Sequence, residues 1–166
     1  MKRIFLFFIC AFMILSLASC GESVNMTALT EYQSKSFEAE LKLSACGKEY
    51  RGIAKKSEGR LFLTLSEPRE LSPFTFVFDK NGSAVIAGEA EIPFCAENIL
   101  PFSEIYPFFS VPIAGTWKIE KKKPGGVSLY VCECEGLTLY IDSGSFLPLK
   151  IMRGETVADI ISFTVN

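Results

Sequence analysis

The chain has 166 residues, 49% of them apolar, with 17 basic side chains against 19 acidic ones and no histidine. This length suits one domain with enough apolar material for a packed core, and the charge balance, with no basic face evident, argues against nucleic acid as a partner. Without histidine, the Ser-His-Asp and Cys-His nucleophile arrangements and the commonest zinc ligand are excluded.

Lys2 and Arg3 precede an unbroken apolar run from Ile4 to Leu15. That run fits the core of a secretory signal and is too short to span a bilayer. Leu17, Ala18, Ser19 and Cys20 follow, a tetrad that resembles the lipobox of bacterial lipoproteins, whose cysteine is diacylated on sulfur and becomes the N-terminus after cleavage. The resemblance implies a signal peptide over residues 1–19 and a diacylglyceryl-type anchor on Cys20. It places the domain outside the cytoplasm, lipid-anchored to a bacterial membrane, either the outer face of the cell membrane or an outer membrane. Two acyl chains hold a protein stably where one is marginal. An ordinary signal peptide that happens to carry a cysteine near its end is the alternative. Residues 21–35 are polar and carry no long period, so residues 20–35 read as lipidated N-terminus and tether, with a single domain over 36–166.

From Ser36 to Cys46 the chain alternates strictly, with Phe37, Ala39, Leu41, Leu43 and Ala45 on one side: a half-buried strand. EYRGIAKK follows, with Tyr50, Gly52 and Ala54 opposite Arg51, Ile53 and Lys55, and then RLFLTLSEP aligns Leu61, Leu63 and Leu65. After a loop bounded by Pro68 and Pro73, FTFVFD puts Phe74, Phe76 and Phe78 on one face, and Asn81-Gly82 signals a two-residue hairpin returning as Ser83 to Gly88. In the second half, strands are predicted at TWKIEK, VSLYVCECE, LTLYID, LPLKIMR and TVADIISFTV, with apolar faces of Leu137, Leu139 and Ile141 and of Leu147, Leu149 and Ile151. About ten short strands joined mainly by tight turns make a mainly β fold, an antiparallel meander.

Between the halves lies CAENILPFSEIYPFFSVPI. Asn98 suits an N-cap, Pro101 a first turn, and Phe102, Ile105, Tyr106 and Phe109 follow helical spacing, with Pro107 expected to end or kink the helix. A short aromatic helix of this kind is suited to lie across the apolar face of the sheet.

Taken together, the lipobox, the one-sided meander and the inserted aromatic helix are similar to the bacterial lipoprotein carrier superfamily, the Lol-type fold of the outer-membrane lipoprotein carrier and its receptor. The resemblance covers roughly residues 36–166. It implies a strongly curled antiparallel sheet forming an incomplete barrel, lidded by helix over an apolar concave face. It also implies binding of a lipid, a lipoprotein acyl chain or another hydrophobic ligand between sheet and lid. The candidate lining is then Leu41, Leu43, Leu61, Leu63, Leu65, Phe74, Phe76, Phe78, Phe102, Ile105, Tyr106, Phe109, Leu137, Leu139 and Ile141. A filled core, with the protein serving as a non-catalytic envelope scaffold or protein-interaction lipoprotein, is the other reading of the same rows.

Catalytic signals are weak. Cys132 and Cys134 share a face of their strand with alpha carbons about 6.6 Å apart, near the upper limit for a disulfide. They read as small buried residues, with a bond from one of them to Cys46 or Cys95 as the alternative. Glu133 and Glu135 beside them would raise a thiol pKa, against the needs of a reactive cysteine. Glu38, Glu40, Glu89 and Glu91 read as solvated surface, and neither GxGxxG nor a P-loop occurs. The sequence therefore predicts a non-enzyme with no cofactor and no metal site. The lysines at 121–123, followed by PGG, read as a charged hairpin end, or more sharply as a contact with anionic headgroups.

Overall fold

A computed structural model describes residues 24–80, 82–94, 106–109 and 115–166. Its strands are β1 (Phe37–Ala45), β2 (Lys48–Ser57), β3 (Arg60–Glu67), β4 (Phe74–Asp79), β5 (Gly82–Ala87), β6 (Ala90–Phe94), β7 (Lys118–Lys122), β8 (Leu129–Cys134), β9 (Leu137–Asp142), β10 (Pro148–Arg153) and β11 (Thr156–Val165). They form one antiparallel sheet in the order β6-β5-β4-β3-β2-β1-β11-β10-β9-β8-β7. Two meanders, β1–β6 and β7–β11, are thus sewn together where the first strand pairs with the last. β6 and β7 are left as the two edges of an open half-barrel.

The alternation read from the sequence sets the inner face. Phe37, Ala39, Leu41 and Leu43 are buried along β1, Leu61, Leu63 and Leu65 along β3, and Leu137, Leu139 and Ile141 along β9, all in one core. Gly52 fits that face for a steric reason. The register shifts between Arg51 and Gly52, and a Cβ at 52 would stand 2.4 Å from the Thr64 carbonyl oxygen, so only glycine lets β2 lie this close to β3.

Four expectations are corrected. β6 was not foreseen, because Pro93 argues against a central strand; at an edge its missing N–H costs no ladder bond. The β4–β5 hairpin pairs Asp79 with Gly82, so Gly82 opens β5, its N–H donating to Asp79 Oδ1 at 3.1 Å, and Lys80 takes the place expected for Asn81 in the two-residue loop. In β10 the register shifts between Pro148 and Lys150, which buries Pro148 and leaves Leu149 exposed where the alternation had placed it inside. Finally, residues 26–34 are not a loose tether. Helix α1 (Met26–Leu29) is capped by Asn25, whose Oδ1 accepts from Ala28 N at 2.9 Å, a 3-10 turn spans Glu31–Ser34, and Leu29, Tyr32 and Gln33 are buried. Their i, i+3, i+4 spacing was the available signal, hidden by the shortness of the segment.

The link from β6 to β7 joins opposite edges of the sheet. Residues 106–109 of that link are helical, with Phe108 and Phe109 buried in the core. Pro107 lies inside this helical stretch and does not end it; its fixed φ is compatible with a helix. Among the described residues no helix is long and apolar enough to cross a membrane.

Candidate functional site

Among the described residues the concave apolar face has no second sheet opposite it. It is covered by residues 24–35, which we call the strap, and by residues 106–109. Tyr106 stacks on Phe78 with ring centroids 5.1 Å apart, and Phe109 lies against Phe37 at 5.7 Å. Phe37 also meets Phe163 at 4.7 Å, and Tyr32 meets Phe163 edge-on at 5.4 Å.

Polar contacts converge on one backbone oxygen. The Tyr32 hydroxyl donates to the Phe108 carbonyl at 3.0 Å, and Gln33 Nε2 donates to the same carbonyl at 2.7 Å. Lys56 Nζ, from β2, donates to the Gln33 carbonyl. This fastens the strap to both the crossing segment and the sheet. Among the described residues the fastening is incomplete, since Gln33 Oε1 is buried there with no hydrogen-bond partner, a desolvation cost of about 1–3 kcal/mol. Burial pushes the Tyr32 phenol well above its ordinary pKa, and partial burial lowers that of Lys56.

Six of the expected lining residues converge. Leu41, Leu61, Leu63, Phe78, Tyr106 and Phe109, with Ala54, surround a void of about 10 Å³, at the lower limit for a single water molecule. Among the described residues, the interior at this point is filled. Leu43, Leu65, Phe76, Leu137, Leu139 and Ile141 belong to the same core without bordering that void, and Phe74 packs against its rim. Phe102, Ile105, Cys95 and Cys20 lie outside the described residues. Residues missed from sequence are Leu29, Tyr32, Gln33 and Phe108, which cover the face, and Phe163, which supports it. A larger hollow, about 260 Å³, lies on the polar outer face between Glu38, Glu40, Ile53, Ser162, Thr164 and Asn166; Glu38 there pairs loosely with Lys55 at 4.0 Å.

Cys132 and Cys134 are buried with free thiols, and Cys46 is free and exposed. Burial pushes the Cys132 thiol up to about 11, the opposite of what a nucleophile requires. Among the described residues no three His, Cys, Asp or Glu side chains are grouped to hold a metal.

In sequence the chain matches no protein-family model and no curated protein. In fold it is similar to an uncharacterized conserved protein from Thermus thermophilus, at 11% identity over 85% of each chain with a TM-score of 0.56. It is also similar to MucB, at 12% identity and a TM-score of 0.50, over 85% of this chain and 57% of that one; the chain thus spans little more than half of MucB. A LolA superfamily protein from Nitrosomonas europaea aligns at 11% identity over 85% of this chain and 93% of its own, with a TM-score of 0.47. At such identities the likeness is one of fold. The chain shares with the Thermus thermophilus protein and MucB the fold of an open antiparallel half-barrel.

Proposed function

We propose that this is a non-catalytic, membrane-anchored extracytoplasmic lipoprotein, held by acyl chains on Cys20, that takes a lipid, a lipoprotein acyl chain or another hydrophobic ligand between its concave sheet and the segments covering it. The observation that carries the reading is the nature of the cover. Rows of Leu and Phe are closed by short helical turns fastened to one another at a single carbonyl, that of Phe108, and not by a second sheet. Such a cover can leave as a unit.

Binding is then a displacement. With about 10 Å³ of free volume, a ligand enters only as Tyr106 and Phe109 withdraw, and exposing two aromatic side chains costs roughly 3–6 kcal/mol. An acyl chain of about twelve methylenes returns about 10 kcal/mol on burial, so a long chain wins the exchange and a short one does not. The void marks where exchange begins, beneath Tyr106 and Phe109, with Leu41, Leu61, Leu63 and Phe78 as its floor; Leu43, Leu65, Phe74, Phe76, Phe102, Ile105, Leu137, Leu139 and Ile141 complete the proposed lining. The filled interior favours a second reading, an envelope scaffold that meets protein partners through its outer face and edges.

Native mass spectrometry of the processed full chain, followed by denaturation and lipid extraction, separates the two. Near-stoichiometric fatty acid or phospholipid, reduced by Phe102→Ser with Tyr106→Ser, is the expected result; a ligand-free mass that persists after incubation with lipid leaves the scaffold reading. The same spectrum reports the anchor as an acyl mass lost in Cys20→Ser.

A further inference from the structure

The turns of the half-barrel sort by rim. Because the strands alternate in direction, the turns at 46–47, 68–73, 88–89, 135–136 and 154–155 share one rim, and those at 58–59, 80–81, 123–128 and 143–147 share the other, together with the start of β1. The first set carries Glu70, Glu89, Glu135 and Glu155 against Arg69, all exposed. The second carries Lys80 and Lys123 against Glu58, with Lys121 and Lys122 adjoining at the end of β7.

Exposed apolar side chains sort the same way. Among the described residues Ile53, Ile92, Leu149 and Ile161 sit within strands, whereas the two large ones borne on turns, Val127 at 55% exposure and Phe146 at 38%, are both at the lysine rim. These two turns are joined. Ser143 N–H donates to the Ser128 carbonyl at 3.1 Å, Phe146 lies 6.1 Å from the Tyr130 ring, and Lys121 Nζ sits 5.5 Å over the same ring. The acids nearby are already engaged: Glu120 bridges Lys118 and Lys122 at 2.7 and 3.0 Å, and Asp142 Oδ1 accepts from Gly144 N, Ser145 N and Ser145 Oγ within its own loop.

We infer that this rim docks on an anionic phospholipid bilayer, with Val127 and Phe146 at the boundary of headgroups and acyl chains and Lys121, Lys122 and Lys123 among the phosphates. The inference rests on the membrane-anchored reading for the chain's presence at a bilayer. A lipid surface suits the patch better than a protein does, because two projecting turns tipped by single apolar side chains cannot supply the roughly 800 Å² per partner of a stable protein interface. They match the small apolar insertion plus lysine attraction of an interfacial contact. The acidic rim is repelled by the same surface, which fixes the orientation. The rim where the strap leads into β1 then faces the bilayer, and a lipid leaving the membrane meets the strap first.

The test places a single indole at either rim of the processed full chain. In one protein Trp117→Phe is combined with Phe146→Trp, in another with Glu155→Trp, and each is added to phosphatidylcholine vesicles with or without phosphatidylglycerol and with brominated acyl chains. The inference expects a blue shift and quenching at position 146 on phosphatidylglycerol vesicles, weakened by salt, and none at position 155. Each of Lys121→Glu, Lys122→Glu and Lys123→Glu should weaken the salt-sensitive part at least about fivefold. An unshifted, unquenched indole at 146 on vesicles that retain the chain overturns it, as does equal quenching at 155. Failure to stay on neutral vesicles counts against the lipid anchor alone, since quenching at 146 on anionic vesicles would still support the rim.

Discussion

The two meanders that meet at the β1–β11 seam line one concave face with different side chains. β1–β4 present Phe37, Leu41, Leu43, Leu61, Leu63, Leu65, Phe76 and Phe78, and the aromatic cover rests on them through Phe37 and Phe78. β8–β11 present Tyr130, Cys132, Leu137, Leu139, Ile141, Ile151 and Ala158, and Cys132 lies within electrostatic reach of the buried Tyr32. The void beneath Tyr106 and Phe109 borders the first meander and its cover. One half therefore carries the aromatic cover at Tyr106 and Phe109, and the other meets the strap where Tyr32 packs on Phe163.

The largest expected effect comes at the seam, where both halves depend on one ring. Phe37→Ala should cost about 3–5 kcal/mol in chemical denaturation, since Phe37 touches Phe109 and Phe163 at once. Ile151→Ala, buried in the second meander and outside the proposed lining, should cost about 2–5 kcal/mol and leave ligand uptake unaltered. If both substitutions abolish uptake equally, the division of labour between the halves fails. Gly52→Ala should follow at about 1–3 kcal/mol, because its Cβ must push β2 from β3 at Thr64. It belongs to the first meander's own architecture and should destabilise without a matching defect elsewhere in amide exchange.

The strap is a sharper probe, because it tests the cover and not the sheet. Tyr32→Phe removes one donor from the Phe108 carbonyl and leaves Gln33 in place, so the expected loss is about 1 kcal/mol. Gln33→Ala should cost no more, since it also deletes the unpartnered Oε1. In both variants amides of residues 26–34 should exchange faster while those of β1 and β11 stay protected. Uniform acceleration would make the strap part of the global fold and remove it as a route of opening.

What could be read from sequence follows the same physics. β1, β2, β3 and β9 were legible because one face is buried and one wet, which writes a period of two into the residues. Inward Gly52 was readable as alternation but not as contact, since its reason lies on β3. Leu149 was misleading because a local irregularity resets the alternation at Pro148 to Lys150. The closure of β1 on β11 leaves no local mark, and the side-chain hydrogen bonds of Tyr32 and Gln33 reach Phe108, more than seventy residues away. The apolar lining was therefore half legible, as rows, while its grouping around one void belongs to tertiary structure.

At neutral pH the smallest effect should come from the second meander's thiols. Cys132 and Cys134 are buried and Cys46 is exposed, so a thiol reagent on the native chain should label Cys46 first and the other two only as the sheet opens, as peptide mapping would show. Burial raises Cys132 from 9.0 to about 11. A thiol held protonated in the folded state gives up its proton more readily once unfolded, so stability is unaffected below about pH 9 and falls as pH rises toward 11. Cys132→Ala should remove the part of that decline that begins near pH 9 and leave the part above about pH 10 that comes from the buried Tyr32 phenol, whereas Cys46→Ala should leave both intact. A decline that persists in full without Cys132 would assign it to another group, and early labelling of Cys132 in the native chain would mean that the second meander, not the first, is the half that opens.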